Sequence, residues 1–71
     1  MNIAPALDMT NEQRVVLMAM AKSSTAPHRQ VVRARLLLDA ADGVANVDLA
    51  GMYQVSVLTV ANWRRRFGEL G

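Results

Sequence analysis

Three consecutive arginines, Arg64, Arg65 and Arg66, stand near the end of the sequence, with Ser56, Thr59 and Asn62 spaced ahead of them. A guanidinium carries a fixed charge and a planar fork of donors that matches phosphates and guanine edges. On a helix advancing about 100° per residue, Val60, Trp63 and Phe67 fall on one side and Leu58, Ala61, Asn62 and Arg65 on the other. The first set reads as core and the second as a face offered outward. Thr59 and Arg66 flank the outward face on one side, Val57 and Arg64 on the other, so the arginines fan out. They cannot grip one small anion together, but they can span a groove and the phosphates on both its walls. Contact with double-stranded DNA is the chemistry this pattern predicts. Leu58, Ala61, Asn62 and Arg65 are placed to meet base edges, and Ser56, Thr59, Arg64 and Arg66 to meet phosphates.

The other chemistry-bearing residues do not assemble into a catalytic set. Arg29, Arg33 and Arg35 read as solvating the second helix or pairing with Asp39, with Arg29 or Arg33 within reach of a phosphate. No second ligand cluster frames Asp39, Asp42 and Asp48, so no metal or acid–base site is expected. His28, the sole histidine, follows Pro27 at a helix start and has no Ser or Cys nucleophile to serve. Trp63 and Tyr53 read as core anchors, and Met9, Met18, Met20 and Met52 as gap-filling core or interface. No enzyme activity and no cofactor are expected.

The 71 residues allow one small domain, because a chain of this size hides only about 60% of the surface its unfolded form exposes. With no cysteine there is neither a disulfide framework nor a thiolate metal site. Apolar residues make up 52% of the chain but aromatics only 4%, so the core must be built of Ala, Val, Leu and Met on closely packed helices. The net charge of +2 hides a local pattern, in which acidic Asp39, Asp42 and Asp48 separate two basic groups. The apolar run from Val15 to Ala21 superficially resembles a signal peptide, but Asp8 and Glu12 precede it and it is short for that role. No run reaches the roughly 20 apolar residues of a bilayer span. The expectation is a soluble, cytoplasmic, membrane-free protein.

Four helices are predicted to position these groups. Residues 1–9 contain Pro5 and no periodicity, and read as a flexible N-terminal arm. Thr10 and Gln13 form a capping-box pattern for a first helix running from Asn11 to about Ser23, and Ser23-Ser24-Thr25 favours a turn. Pro27 suits the first turn of a second helix, with Val31, Ala34, Leu38 and Ala41 as its buried stripe and Gly43 at its end. Asn46 is expected to cap a short third helix that turns Leu49, Ala50 and Tyr53 inward. Gln54, Val55 and Ser56 make a turn, Ser56 caps a fourth helix from Val57 to about Phe67, and Gly68 closes it. The first helix is apolar nearly all round. With Leu17, Met20 and Ala21 facing the core, Val16 and Met18 are left exposed as a surface for a homodimer partner or a docking domain.

Two short helices joined by a three-residue turn, the second capped by serine and ending in arginines, suit a helix lying in a major groove. The segment from Val47 to Phe67 looks like a helix-turn-helix, with Ala50 as its small residue, Val55 as the inward turn residue, and Val60 and Trp63 as anchors. More widely, Thr10-Asn11-Glu12, Thr25-Ala26-Pro27, Arg33-Ala34-Arg35, Ala40-Ala41-Asp42-Gly43, Asn46, Leu49-Ala50, Val55-Ser56, Thr59-Val60 and Trp63-Arg64-Arg65-Arg66-Phe67 follow one another in order. This order resembles the N-terminal DNA-binding region of transposases of insertion sequence (IS) family 630, relatives of the Tc/mariner group. The resemblance implies an all-α, homeodomain-like or paired-like domain over residues 10–71, with the helix-turn-helix proper at 46–67. It further implies a prokaryotic protein, associated with the nucleoid when bound, that recognises transposon terminal repeats, with catalysis in a separate acidic-triad domain for which 71 residues leave no room.

The sequence departs from that family at two places. Gln54 stands where its members usually carry glycine, at a site that often needs a left-handed backbone costing roughly 1–2 kcal/mol for a residue with a Cβ. Val57 and Leu58 stand where members put polar or basic residues. Apolar side chains there can touch a thymine methyl but cannot make bidentate bonds to a base. A helical dimerisation or protein-interaction module, or a small transcriptional regulator, is the alternative.

Overall fold

The computed structural model describes residues 6–70 of the chain, so residues 1–5 of the expected arm and Gly71 lie outside the described residues. The described part is all-helical: α1 spans Asn11–Ala21, α2 His28–Ala41, α3 Asn46–Tyr53 and α4 Val57–Leu70. No helix among the described residues is long and apolar enough to cross a membrane.

Local hydrogen-bonding groups set most boundaries. Thr10 and Gln13 form a reciprocal capping box: the Thr10 hydroxyl accepts from the Gln13 N–H at 3.1 Å and the Gln13 side chain accepts from the Thr10 N–H at 2.9 Å. α1 stops at Ala21, two residues short of the expected end. Beyond it the Ser23 hydroxyl accepts from the backbone of Thr25 and Ala26, holding the turn. Pro27 lies just outside the first turn of α2 and acts as its N-cap; the Pro27 carbonyl accepts from Gln30 and Val31. At the other end Gly43, at φ +93, lets the Val44 N–H reach the Asp39 carbonyl and its own N–H the Ala40 carbonyl, both at 3.1 Å. This paired arrangement stops α2 sharply.

Two expectations for the later helices are corrected. Asn46 is not a cap: Ala45 occupies that position with an extended backbone, and Asn46 is the first residue of α3, its Oδ1 buried without a hydrogen-bond partner. α4 runs through Gly68 to Leu70 instead of closing at Gly68. Gly68 is exposed, and a glycine within a helix costs only about 1 kcal/mol relative to alanine, which does not suffice to end it.

α2 is the centre of the fold. It packs against α1, α3 and α4, and α3 packs against α4, whereas among the described helices the backbone of α1 comes close to α2 alone. This sandwiching corrects the expected core stripe. Of Val31, Ala34, Leu38 and Ala41 only Ala34 is fully buried; Leu36, Leu37 and Ala40 are the other buried residues of α2. A helix covered on two sides has two apolar stripes, and Leu36 and Ala40 lie on the one that meets Leu49, Ala50 and Val60 in the main core cluster. Tyr53, Val55 and Trp63 pack around that cluster. So does Leu7, from the stretch expected as an arm, and its N–H also donates to the Ala40 carbonyl at 3.0 Å.

α1 contributes no fully buried residue. Leu17, Met20 and Ala21 are half-buried, as expected of its inward face, while Val15 (66%), Val16 (65%) and Met18 (42%) are exposed.

Candidate nucleic-acid interface

The turn that joins α3 to α4 is built by its own backbone. Gln54 sits in the left-handed region at φ 55 and ψ 45, and it is the only non-glycine residue among those described with a positive φ. In that conformation the N–H groups of both Gln54 and Val55 point back to the Ala50 carbonyl. Val55 is half-buried and packs on the core cluster, which fixes the direction of the chain as it enters α4.

Ser56 then performs the expected cap. Its hydroxyl accepts from the Thr59 N–H at 3.0 Å and is hydrogen-bonded to the Thr59 hydroxyl, 2.9 Å away. The two hydroxyls expected to meet phosphates are therefore tied to each other and to the helix start.

The inner face of α4 is carried by Val60, fully buried, with Trp63 and Phe67 half-buried. Trp63 is clamped from outside by Arg33, whose guanidinium carbon lies 5.8 Å from the ring centre. A guanidinium over an indole is attracted by the ring's quadrupole by about 0.5–1 kcal/mol at an exposed site. Arg33 is thus engaged with Trp63, and Asp39 accepts a hydrogen bond from the Tyr53 hydroxyl. Of the two roles read for the α2 arginines, solvating the helix or pairing with Asp39, no ion pair with Asp39 forms among the described residues.

The outer face carries Leu58, 70% exposed, with Val57, Arg65 and Arg66 also exposed. Ala61 and Asn62 are half-buried, being partly covered by their neighbours, and Arg64 is half-buried as well. Arg64 thus stands apart from the two freely solvated arginines that follow it.

One grouping joins residues far apart in sequence. Thr59, Asn62, Arg65 and Arg66 of α4 line a polar groove of about 300 Å³ together with Arg29 from the first turn of α2. Sequence placed Arg29 on the second helix but gave no sign that the crossing of α2 and α4 would bring it beside the α4 arginines. Among the described residues, no carboxylate lies within ion-pair distance of Arg29, Arg65 or Arg66. The acids are engaged or exposed elsewhere: Asp42 pairs with Arg14 at 3.6 Å, and Asp39 serves Tyr53. His28 is exposed at the start of α2. No three His, Cys, Asp or Glu side chains among the described residues group to hold a metal ion.

Burial pushes the Tyr53 hydroxyl up to about 12, assisted by its hydrogen bond and proximity to the Asp39 carboxylate and opposed by the charge of Arg35. Tyr53 is therefore a neutral donor that ties α3 to α2 at physiological pH. No family model, curated protein or solved structure matches the chain.

Proposed function

We propose that this chain is a double-stranded-DNA-binding domain of the homeodomain-like helix-turn-helix kind, with α4 as the helix that enters the major groove. The observation that carries the reading is the groove in which Arg29 and the α4 arginines Arg65 and Arg66 stand together without carboxylate partners. Cations gathered from two helices track a phosphate backbone, and the outward row of α4 beside them is open to base edges. The short α3 and the Gln54-Val55-Ser56 turn hold that row at a fixed angle to the core.

In this reading Arg29, Arg66, Thr59 and Ser56 contact phosphates and Leu58, Asn62 and Arg65 reach bases. Ala61 lies flat beside them, and Arg64 is a phosphate contact at the edge. Together with the order of landmarks along the chain, the arrangement supports a role in binding transposon ends, in which the domain positions DNA and performs no chemistry itself.

Selection of bound duplexes from a random pool, repeated at two salt concentrations, tests the proposal. Enrichment of one motif supports specific recognition by α4. Salt-sensitive capture without enrichment reduces the function to a basic helix, and no capture at either salt overturns the reading. A second reading is favoured by Val15, Val16 and Met18, whose exposure gives α1 a contact face for a second copy or another domain. A mass that rises with concentration, lost in Val16→Lys, supports that use, and it is compatible with DNA binding.

A further inference from the structure

The backbones of α1 and α4 stand apart, and the surface dips between them over α2. The resulting cleft encloses about 330 Å³. Leu17 and Met20 of α1, Leu37 of α2 and Phe67 of α4 make it largely apolar, while Arg33 and Arg66 bring two permanent cations to it. Among the described residues no acidic side chain lines it. The cleft therefore selects by charge as well as by surface. A hydrocarbon chain or ring gains by leaving water for the apolar wall, and a carboxylate gains charge-assisted hydrogen bonds from the arginines. An ammonium head would be repelled. The volume is at the lower end of small-molecule sites, which span about 300–1,000 Å³, and suits a short amphiphile.

We propose that this cleft binds a small amphipathic carboxylate, its apolar part against Leu17, Met20, Leu37 and Phe67 and its carboxylate held by Arg66 and Arg33. Arg66 also lines the polar groove beside Arg29, Thr59, Asn62 and Arg65. A carboxylate held by Arg66 in the cleft offsets the positive charge that the same guanidinium offers a phosphate in the groove and sets two anions close together, so filling the cleft weakens DNA binding. This coupling rests on the DNA-binding reading; the ligand site does not. By linkage, DNA must weaken carboxylate binding by the same factor.

The test starts without DNA. Sodium octanoate, octylammonium chloride and 1-octanol are titrated into the 71-residue protein, followed by Trp63 fluorescence and by the methyl NMR shifts of Leu17 and Leu37. Trp63 is the sole tryptophan and lies under Arg33, so a carboxylate on that guanidinium alters its emission. Saturable octanoate binding is expected, with both other probes weaker by about tenfold or more, the scale of one charge-assisted hydrogen bond. Arg66→Gln, an exposed position, should keep the far-UV circular dichroism and weaken octanoate by about tenfold on the same basis. Equal binding of the three probes, octanoate shifts that never saturate, or an unchanged affinity in Arg66→Gln overturns the site.

A labelled duplex is then titrated with and without saturating octanoate. Weaker DNA binding with octanoate but not with 1-octanol supports the coupling, and unchanged binding overturns it. Absence of any DNA binding overturns both the coupling and the DNA-binding reading, while the titration without DNA still decides the cleft.

Discussion

The Tyr53 hydroxyl donates to the Asp39 carboxylate, joining the end of α3 to the last turn of α2. It is a polar contact at the rim of a core otherwise closed by Leu7, Val44, Val55 and Trp63, and it sets the orientation of the short helix from which the turn into α4 departs.

The pH dependence of that contact is open to measurement, because Tyr53 is the only tyrosine in the chain. Its acidity lies at about 12 in the folded protein, above the ordinary 10.0. A raised value means that the unfolded chain loses this proton first. The contribution to stability is therefore complete below pH 10 and declines as pH rises from 10 toward 12. Ultraviolet titration of tyrosinate should show a midpoint near 12 in the native protein and near 10 in denaturant. Tyr53→Phe should cost about 1 kcal/mol by chemical denaturation, the ordinary net worth of one hydrogen bond. A native midpoint of 10 would remove the bond from the fold.

Gln54 holds a left-handed backbone at φ 55 that glycine adopts without penalty. Relief of roughly 1–2 kcal/mol of strain, less the roughly 0.5–1 kcal/mol of extra unfolded-state freedom, predicts that Gln54→Gly is more stable by up to about 1.5 kcal/mol. The measurement is a urea midpoint that rises with an unchanged slope. A lower midpoint would show that the Gln54 side chain contributes more than its backbone costs.

Helix caps supply a paired prediction. Ser56→Ala removes the bond to the Thr59 N–H and should cost about 1 kcal/mol. Ala45→Ser should add about the same amount, because Ala45 is an extended N-cap residue with no side chain to accept a bond. Equal stability of the Ala45→Ser variant and the parent would mean that Ala45 is too crowded for a hydroxyl to turn toward α3.

For DNA binding, Arg29→Ala and Arg66→Ala should each lower affinity on all sequences and flatten the slope of log K against log salt by about 0.9. Arg65→Ala should instead lose on the order of 1–3 kcal/mol of discrimination at one base pair. A uniform loss would move Arg65 to the phosphate class, and an unchanged salt slope in Arg29→Ala would take α2 out of the interface.

The features legible in the sequence were those decided within four residues. Thr10 with Gln13, Ser56 before α4 and Gly43 after α2 each carry the group, or the backbone freedom, that a helix end requires nearby. The outward exposure of Leu58, Arg65 and Arg66 was legible too, since the Val60 and Trp63 stripe fixes the rotation of α4. The stripe of α2 was not, because Leu36-Leu37-Leu38 offers an apolar residue in every direction and only packing on two sides chooses among them. Asn46 had the right side chain for a cap, but the backbone entered α3 one residue earlier, where Ala45 lies. The place of Arg29 beside Arg65 and Arg66 depends on how two helices cross, a relationship with no local signature.

Because the backbone of α1 comes close to that of α2 alone among the described helices, and α1 buries no residue completely, the four helices are unequal members of one cooperative unit. Opening α1 uncovers Ala34 and Leu37 on one side of α2 but leaves the cluster of Leu36, Ala40, Leu49, Ala50 and Val60 closed, whereas opening α2 dismantles both. Amide protons of α1 should therefore exchange through a partial opening whose free energy lies well below that of global unfolding, while those of Leu36, Leu49 and Val60 exchange only when the whole chain unfolds. A protein built this way can release its first helix while the α2–α3–α4 core stays folded.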